Sequence, residues 1–143
     1  MGKIEAICIS EKKGTPKKEV FHINLIENFG LENDAHGGNW HRQVSLLWFE
    51  SIENFKVKGA PVNFGSFGEN LIISGLDFTK IVLGTILSGD NFELEITQIG
   101  KDCHNRCHIY YAMGDCIMPR EGVFATVKKG GKIEKGCSID IKE

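Results

Sequence analysis

Three of the five cysteines in this 143-residue chain lie within one short segment, at Cys103, Cys107 and Cys116. The cationic residues nearest to the first of them are Lys101, His104, Arg106 and His108. Cationic neighbours lower the pKa of a thiol and raise its thiolate fraction at neutral pH. The thiolate is both a nucleophile and a soft ligand for metals such as molybdenum. The segment therefore predicts a reactive thiol, and Cys103, which follows a strand-like run and a Gly-Lys-Asp turn, is the main candidate.

The same cysteines are compatible with other chemistry. Cys103, Cys107 and Cys116, with His104 or His108, supply enough ligands for a tetrahedral zinc centre. The first two cysteines have a suitable spacing, but the third follows only after nine positions, and no paired C-x-x-C occurs. A redox pair of Cys103 with Cys107, and thiols that are simply buried, are further interpretations. The spacing alone does not decide between a single reactive thiol, a zinc centre, a redox pair and buried thiols.

One glycine-containing loop is a candidate for binding an anion. Residues 65–70 include two glycines, followed by Glu69 and Asn70. Glycines allow backbone N–H groups to approach an anion closely. The segment matches neither a dinucleotide-binding motif nor a phosphate loop, so a tight turn is the alternative interpretation.

Two arginines are candidate clamps for a phosphate or another oxyanion. The planar guanidinium fork of Arg42 suits such a ligand, and Arg120 offers a second one. His36 and Asp34 precede Arg42 in a glycine-rich and asparagine-rich stretch, where they could bind metal or hold the loop by hydrogen bonds. For Arg120 the alternative is a surface ion pair.

The composition argues against several classes of protein. A formal net charge of -2 gives no electrostatic reason to expect nucleic-acid binding. No apolar run approaches the roughly 20 residues that a membrane span needs. An odd number of cysteines without an export signal argues against a disulfide framework. We therefore expect a cytoplasmic protein with neither nucleic acid nor membrane as a partner.

Two more predictions concern structure rather than chemistry. The basic run at residues 12–18 contains Gly14 and Pro16 and predicts a solvated loop. Cys8 and Cys137 lie in strand-like runs, where a free cysteine usually packs as a small apolar side chain.

The elements that must position these groups are short strands. Alternating or continuous apolar runs between turn residues predict strands at residues 3–10, 20–26, 43–47, 71–73, 81–83, 85–87, 92–99, 122–127 and 138–141. Trp48, Ile52 and Phe55 fall at helical spacing and predict a short helix from Trp48 to Phe55. Both alternating sets of residues 3–10 are largely apolar, which indicates a strand covered on both faces. Short strands at this density favour a barrel or sandwich, built as one domain over residues 1–143.

Five sequence blocks, taken in order, resemble the MOSC domain family. This module occurs at the C-terminus of eukaryotic molybdenum cofactor sulfurase and as small stand-alone bacterial proteins. The blocks are GLENDAH at 30–36, RQVSLL at 42–47, GSFGENL at 65–71, EITQ at 95–98 running to Cys103, and CIMPREGVFATV at 116–127. Their order and spacing are specific, and they span almost the whole chain.

The resemblance implies a mainly β fold, a mixed-strand barrel like that of pyruvate kinase with a few short helices. It implies a cysteine near the end of the EITQ strand, matched here by Cys103. In related proteins that reduce N-hydroxylated compounds, this thiolate is a molybdenum ligand. The implied cofactor is therefore molybdenum cofactor, with the arginines engaging the pterin phosphate or oxo groups. The residues expected to line its pocket are Arg42, Glu69, Asn70, Arg120 and His36.

The function implied by the resemblance is molybdenum cofactor binding, or sulfur carriage as a Cys103 persulfide, in cofactor maturation or delivery. Cofactor-biosynthesis enzymes or a cysteine desulfurase are the implied partners, and PLP is not expected because its domain does not fit in 143 residues. One alternative is a molybdenum-dependent reductase of N-hydroxylated compounds, although those proteins have a proline where this chain has Asp102. The other is a non-catalytic zinc-stabilised interaction module with Cys103, Cys107, Cys116 and His108 as ligands.

Overall fold

Seven strands close into a mixed β-barrel, with one short α-helix on its outside among the described residues. The computed structural model describes residues 2–12, 17–35, 37–57, 59, 64–65, 69–100 and 122–142. The strands are β1 (Gly2–Ile9), β2 (Lys18–Val20), β3 (His22–Ile26), β4 (Gly30–Leu31), β5 (Val44–Trp48), β6 (Leu71–Ser74), β7 (Ile86–Ser88), β8 (Glu93–Ile99), β9 (Val123–Lys129), β10 (Gly131–Glu134) and β11 (Ser138–Ile141). The helix is α1 (Phe49–Val57), and a 3₁₀ turn spans Phe78–Lys80.

The barrel closes because β1 pairs with both ends of the strand series. Around the barrel the order is β1, β6, β5, β9, β8, β7 and β11, and β11 returns to β1 through Gly2 opposite Ile139. The pair β5–β6 is parallel and the other pairs are antiparallel, which makes the barrel mixed. The parallel pair needs a crossover, and α1 lies on that connection. Strands β10, β3 and β4 form a separate small sheet.

The two faces of β5 bury different sets of side chains. Val44, Leu46 and Trp48 belong to the main core cluster inside the barrel. Leu47 alternates to the outer face and packs in a second cluster with Ile52 and Phe55 of α1. All five residues of the strand are buried as a result.

Strand β1 follows the same principle. Ile4 and Ile7 lie in the main cluster, and Ala6 and Cys8 lie in the outer one. The prediction of a strand covered on both faces is confirmed. The predicted helix is also confirmed to within two residues at each end, since Ile52 and Phe55 form its buried side.

Two local predictions are wrong. Residues 81–83 do not form a strand, because Gly84 has a φ of +89° and the Val82 amide donates to Thr85 Oγ1, which makes a turn. The basic run is not wholly a solvated loop, since Lys17 is only 3% exposed. Its ammonium group lies 2.7 Å from Asp34 Oδ1, and that buried partner explains its position.

No helix in the described ranges is long and apolar enough to cross a membrane.

Gly30 opens β4 in a conformation that suits glycine alone. Its φ is +129°, and an added Cβ would lie 2.5 Å from the backbone oxygen of Gln43. In Gly30→Ala we expect backbone strain alone to lower the free energy of unfolding by about 1–3 kcal/mol. The clash with Gln43 should increase this loss. Urea denaturation measures the free energy of unfolding. Gly84→Ala is the matched control, since Gly84 also has positive φ but nothing within 4 Å; equal losses in both variants would contradict the clash.

Candidate functional site

The segment that carries the candidate cysteines starts and ends at one point of the barrel. Strand β8 ends and β9 begins at the pair Ile99 and Val123, and the Gly100 amide donates to the Gly122 oxygen at 2.7 Å. Cys103 follows Gly100 by three residues in sequence. The site residues predicted from sequence that lie outside the described residues are His36, Cys103, Cys107, His108, Cys116 and Arg120.

Arg42 is held at this end of β8. Its Nε donates to Gln98 Oε1 at 2.9 Å, and its guanidinium carbon lies 5.1 Å from the centre of the Phe124 ring. The side chain is half-buried, and no carboxylate of the described residues pairs with it. Gln98 therefore holds the Nε edge of the guanidinium and Phe124 covers one of its faces. The two terminal nitrogens can bind an anion.

Gln98 orients Arg42 and His41 together. The Gln98 Nε2 donates to the Gly100 oxygen at 2.9 Å, which turns Oε1 toward the loop. That oxygen lies 2.9 Å from His41 Nε2, and because it can only accept, the histidine donates through Nε2. The Thr97 hydroxyl also donates to the His41 backbone oxygen. Hydrogen bonds thus hold residues 41–42 against the end of β8.

Sequence reasoning missed Gln98 as a site residue, although it lies in the EITQ block. His41 belongs to the same candidate stretch as Arg42, but the sequence assigned it no role. His41 and Thr97 also line an open groove of about 730 Å³, which makes this corner reachable from solvent.

Asn70 and Glu69 lie in the interior, on the other side of β5. Asn70 Oδ1 accepts from the Ser45 amide at 2.9 Å, and its Nδ2 donates to the Cys8 oxygen at 3.0 Å. The side chain thereby joins β1 to β5 just before β6 begins. Glu69 and Asn70 are both 0% exposed. The amide of Asn70 is committed to these contacts, and its predicted role in lining a pocket stays a prediction.

Ser45 lies between Asn70 and the ring of Phe124, which Arg42 contacts. In the register of β5 with β9, Ser45 stands opposite Phe124, the ring over which the Arg42 guanidinium lies. By alternation with Leu46, Ser45 and Leu47 both face the outside of the barrel. Arg42, which lies over Phe124 of β9, and Asn70, which directly precedes β6, are therefore on opposite edges of β5.

The cysteines that the structure describes are unsuited to nucleophilic chemistry. Burial raises the pKa of the Cys8 thiol from 9.0 to about 12, and the nearby carboxylates of Glu69 and Glu19 add to the shift. Burial also raises the pKa of Cys137. Both prefer the thiol form at neutral pH, so a reactive thiolate is to be sought among the remaining three cysteines. Core packing is confirmed for Cys8, and Cys137 is half-buried against the main cluster.

We expect Cys8 to resist alkylation by iodoacetamide at neutral pH in the folded protein and to react once urea unfolds it. Peptide mass spectrometry gives the extent of labelling. The folded pKa of about 12 exceeds the unfolded value of 9.0, so the native state holds this proton more tightly. The resulting stabilisation is complete below pH 9 and is lost as the pH rises toward 12. Rapid labelling of native Cys8 at pH 7 would contradict its burial.

No described residues form a metal centre. Among them, no group of three or more His, Cys, Asp or Glu side chains is arranged to hold a metal ion. The zinc ligands suggested by the sequence all lie in residues 101–121, outside the described ranges.

Solved structures with the same fold come from bacteria. The YuaD protein from Bacillus subtilis has a TM-score of 0.75 and 18% identity, over 97% of this chain and 94% of its own. YiiM from Geobacillus stearothermophilus has a TM-score of 0.74 and 19% identity, over 100% of this chain and 76% of its own. YiiM from Escherichia coli has a TM-score of 0.67 and 17% identity, over 99% and 70%. At these identities the likeness shows the fold.

No curated protein matches the chain significantly. The family model of the MOSC domain matches residues 32–140, which include α1 and the residues Arg42, Ser45, Asn70 and Gln98. Because the match covers most of the sequence, the chain belongs to the MOSC domain family.

Proposed function

We propose that this protein binds molybdenum cofactor, or carries sulfur for its maturation or delivery, with Cys103 as the reactive group. The MOSC family is associated with molybdenum cofactor, so the chain is a molybdenum-cofactor-related domain in general terms. The observation that carries the finer proposal is the fixed guanidinium of Arg42, which has no carboxylate partner in the described part of the chain and lies at the end of β8.

The described residues fit an anionic cofactor at this point. A positioned guanidinium without a carboxylate partner among the described residues is suited to a phosphate or oxo group, which it can bind in bidentate geometry. Arg42 would hold that group, while Gln98 and Phe124 keep the guanidinium in place. When bound, the cofactor supplies a molybdenum centre that accepts soft sulfur ligands. Cys103 is the nearest cysteine in sequence to this end of the strand.

As a sulfur carrier, Cys103 would act by exchange. Its thiolate attacks the outer sulfur of a donor persulfide, a new S–S bond forms, and the donor leaves as a thiolate. A cysteine desulfurase is a suitable donor, and a cofactor-biosynthesis enzyme is a suitable acceptor. The cationic residues near Cys103 in sequence would stabilise the terminal anionic sulfur between the two transfers.

Mass spectrometry of the native protein tests the proposal directly. We expect an additional sulfur atom on Cys103 or a co-purified pterin. About one zinc per chain, with unfolding on chelation, would instead support the zinc-stabilised module and contradict the proposal. Reduction of an N-hydroxylated substrate by the cofactor-loaded protein and an electron donor would identify a reductase.

We expect Arg42→Leu to weaken the binding of inorganic phosphate by roughly ten-fold or more, because a positioned charge-assisted contact is lost. Isothermal titration calorimetry measures the affinity. Lys142→Leu is the matched control, since Lys142 lies outside the groove lined by His41 and Thr97 and is already paired with Glu93 at 2.6 Å. Equal loss of affinity in the two variants would mean that phosphate binding depends on the net charge of the protein and not on the position of Arg42.

A further inference from the structure

The imidazole of His41 has one nitrogen in a hydrogen bond and one that faces no partner among the described residues. Its Nε2 lies 2.9 Å from Gln98 Oε1, and Arg42 Nε donates to the same oxygen at 2.9 Å. A guanidinium can only donate, so the atom that it meets is the amide oxygen, and Nε2 of the histidine is the nitrogen that carries hydrogen. When the ring becomes cationic, the added proton therefore binds Nδ1.

His41 is close to the guanidinium of Arg42 and accessible from solvent. Because both nitrogens lie 2.9 Å from one oxygen, no more than twice that distance separates His41 Nε2 from Arg42 Nε. His41 is exposed and lines the open groove of about 730 Å³, while Arg42 is half-buried beside it. Charges at such separations interact appreciably near a protein surface. An anion held by Arg42 would thus feel the charge of the imidazole.

The other charged groups of the described residues that line this groove leave that role to His41. Glu95 of β8 and Lys128 of β9 pair with each other at 3.1 Å and largely neutralise one another. Glu27, in the turn between β3 and β4, carries a carboxylate that favours a cationic imidazole. Arg42 opposes it until an anion neutralises the guanidinium. Anion binding and protonation of His41 therefore favour one another.

We propose that His41 and Arg42 form a proton-dependent site for a doubly charged tetrahedral oxyanion, in which cationic His41 supplies the second positive charge. The inference rests on the proposed function for the anion at Arg42 and adds control by pH to it. Protonation at Nδ1 leaves the Nε2 bond to Gln98 in place, so Arg42 keeps its support. Histidine changes charge between about pH 5 and 8. The site should bind its anion tightly at the acidic end of this range and release it as the pH rises.

Isothermal titration calorimetry with sulfate at about pH 5.5 and about pH 8, at constant ionic strength, tests the inference. Sulfate is the probe because its own charge does not change over this range. We expect the wild-type affinity to be roughly ten-fold higher at the lower pH, as one favourable charge interaction is added.

His41→Gln separates the charge of this side chain from its hydrogen bond. Glutamine can donate to Gln98 but cannot take up a proton, so this variant should bind sulfate equally at both pH values, with the wild-type affinity of the higher pH. His22→Gln is the matched control, because His22 is an exposed histidine of β3 outside the groove. It should keep the wild-type pH dependence.

A second measurement needs no substitution in the protein under test. Because coupling between two binding events is reciprocal, sulfate should raise the pH at which His41 is half-protonated. A ten-fold preference corresponds to a displacement of about one pH unit. The ring C–H resonance of His41 in NMR spectra, assigned by its loss in His41→Gln, follows this titration with and without sulfate.

Three results would overturn the inference. Equal wild-type affinity at the two pH values, together with a loss in Arg42→Leu, would remove the role of His41 and leave the anion site of the proposed function standing. A pH dependence that persists in His41→Gln would assign the proton to another group. Absence of sulfate binding at either pH would overturn both the inference and the anion contact on which the proposed function rests.

Discussion

Cys103→Ser is expected to abolish persulfide formation and cofactor retention while the fold survives. A serine hydroxyl is neither ionised at neutral pH nor a soft ligand, so it can neither accept a sulfur atom nor bind molybdenum through sulfur. After incubation with a cysteine desulfurase and cysteine, mass spectrometry of the wild type should show the added sulfur. The variant should show none, and its urea midpoint should match that of the wild type.

The control for this experiment is Cys137→Ser. Cys137 is a free, half-buried thiol whose pKa is raised by burial, so its replacement should leave sulfur loading intact. Normal cofactor loading in Cys103→Ser would remove the chemical centre of the proposed function. Loss of loading in both variants would show that the assay reports general thiol content.

Asp34→Asn should produce the largest loss of stability, about 3–5 kcal/mol, because it removes a buried carboxylate charge that lies directly against the buried ammonium group of Lys17. Lys17 and Asp34 are both fully buried at their side chains, and their charged atoms lie 2.7 Å apart. The same carboxylate oxygen accepts from the Ser10 amide at 3.0 Å, so it also fixes the end of β1. The free energy of unfolding from urea titration measures the effect.

Two comparisons separate this effect from loss of any ion pair. Glu93→Gln breaks the exposed pair with Lys142, whose atoms lie 2.6 Å apart, and solvent screening should make its effect small. The double substitution Lys17→Met with Asp34→Leu removes both charges and should recover much of the lost stability. A loss in Asp34→Asn no larger than in Glu93→Gln would contradict the burial of the pair.

The elements with strong local patterns were predictable from sequence. Helix α1 follows from the spacing of Ile52 and Phe55, and its acidic first turn and basic last turn, with Glu50 and Lys56, suit the helix dipole. Strand β1 is apolar on both faces because it separates the barrel interior from the outer cluster. These signals are contained in neighbouring residues.

The burial of Lys17 could not be predicted in this way. A run of lysines is typical of a solvated loop. The partner of Lys17, Asp34, lies 17 residues later in a different loop. Only the tertiary fold brings the two together. Local composition therefore gave the wrong environment for Lys17.

The candidate site was partly predictable. The chemistry of Arg42 follows from its guanidinium, and the resemblance selected it. The orientation of its fork depends on Gln98, whose side chain reaches it beside a β-bulge between Ile96 and Gln98. Pairing and irregularities of this kind arise between strands that are distant in sequence.

The pairing of β1 with β11 also constrains how the protein is made. The Gly2 amide bonds Asp140 Oδ1 across a separation of 138 residues, and Gly2 stands opposite Ile139. During synthesis β1 emerges from the ribosome long before β11 exists, so the part of its edge around Gly2 and Lys3 stays open until late in translation, whereas β2 can cover Ile7–Ile9 early. Such an edge invites pairing with other nascent chains. Slow translation should therefore favour aggregation of this protein, and chaperones that shield strand edges should matter most just before β11 is released.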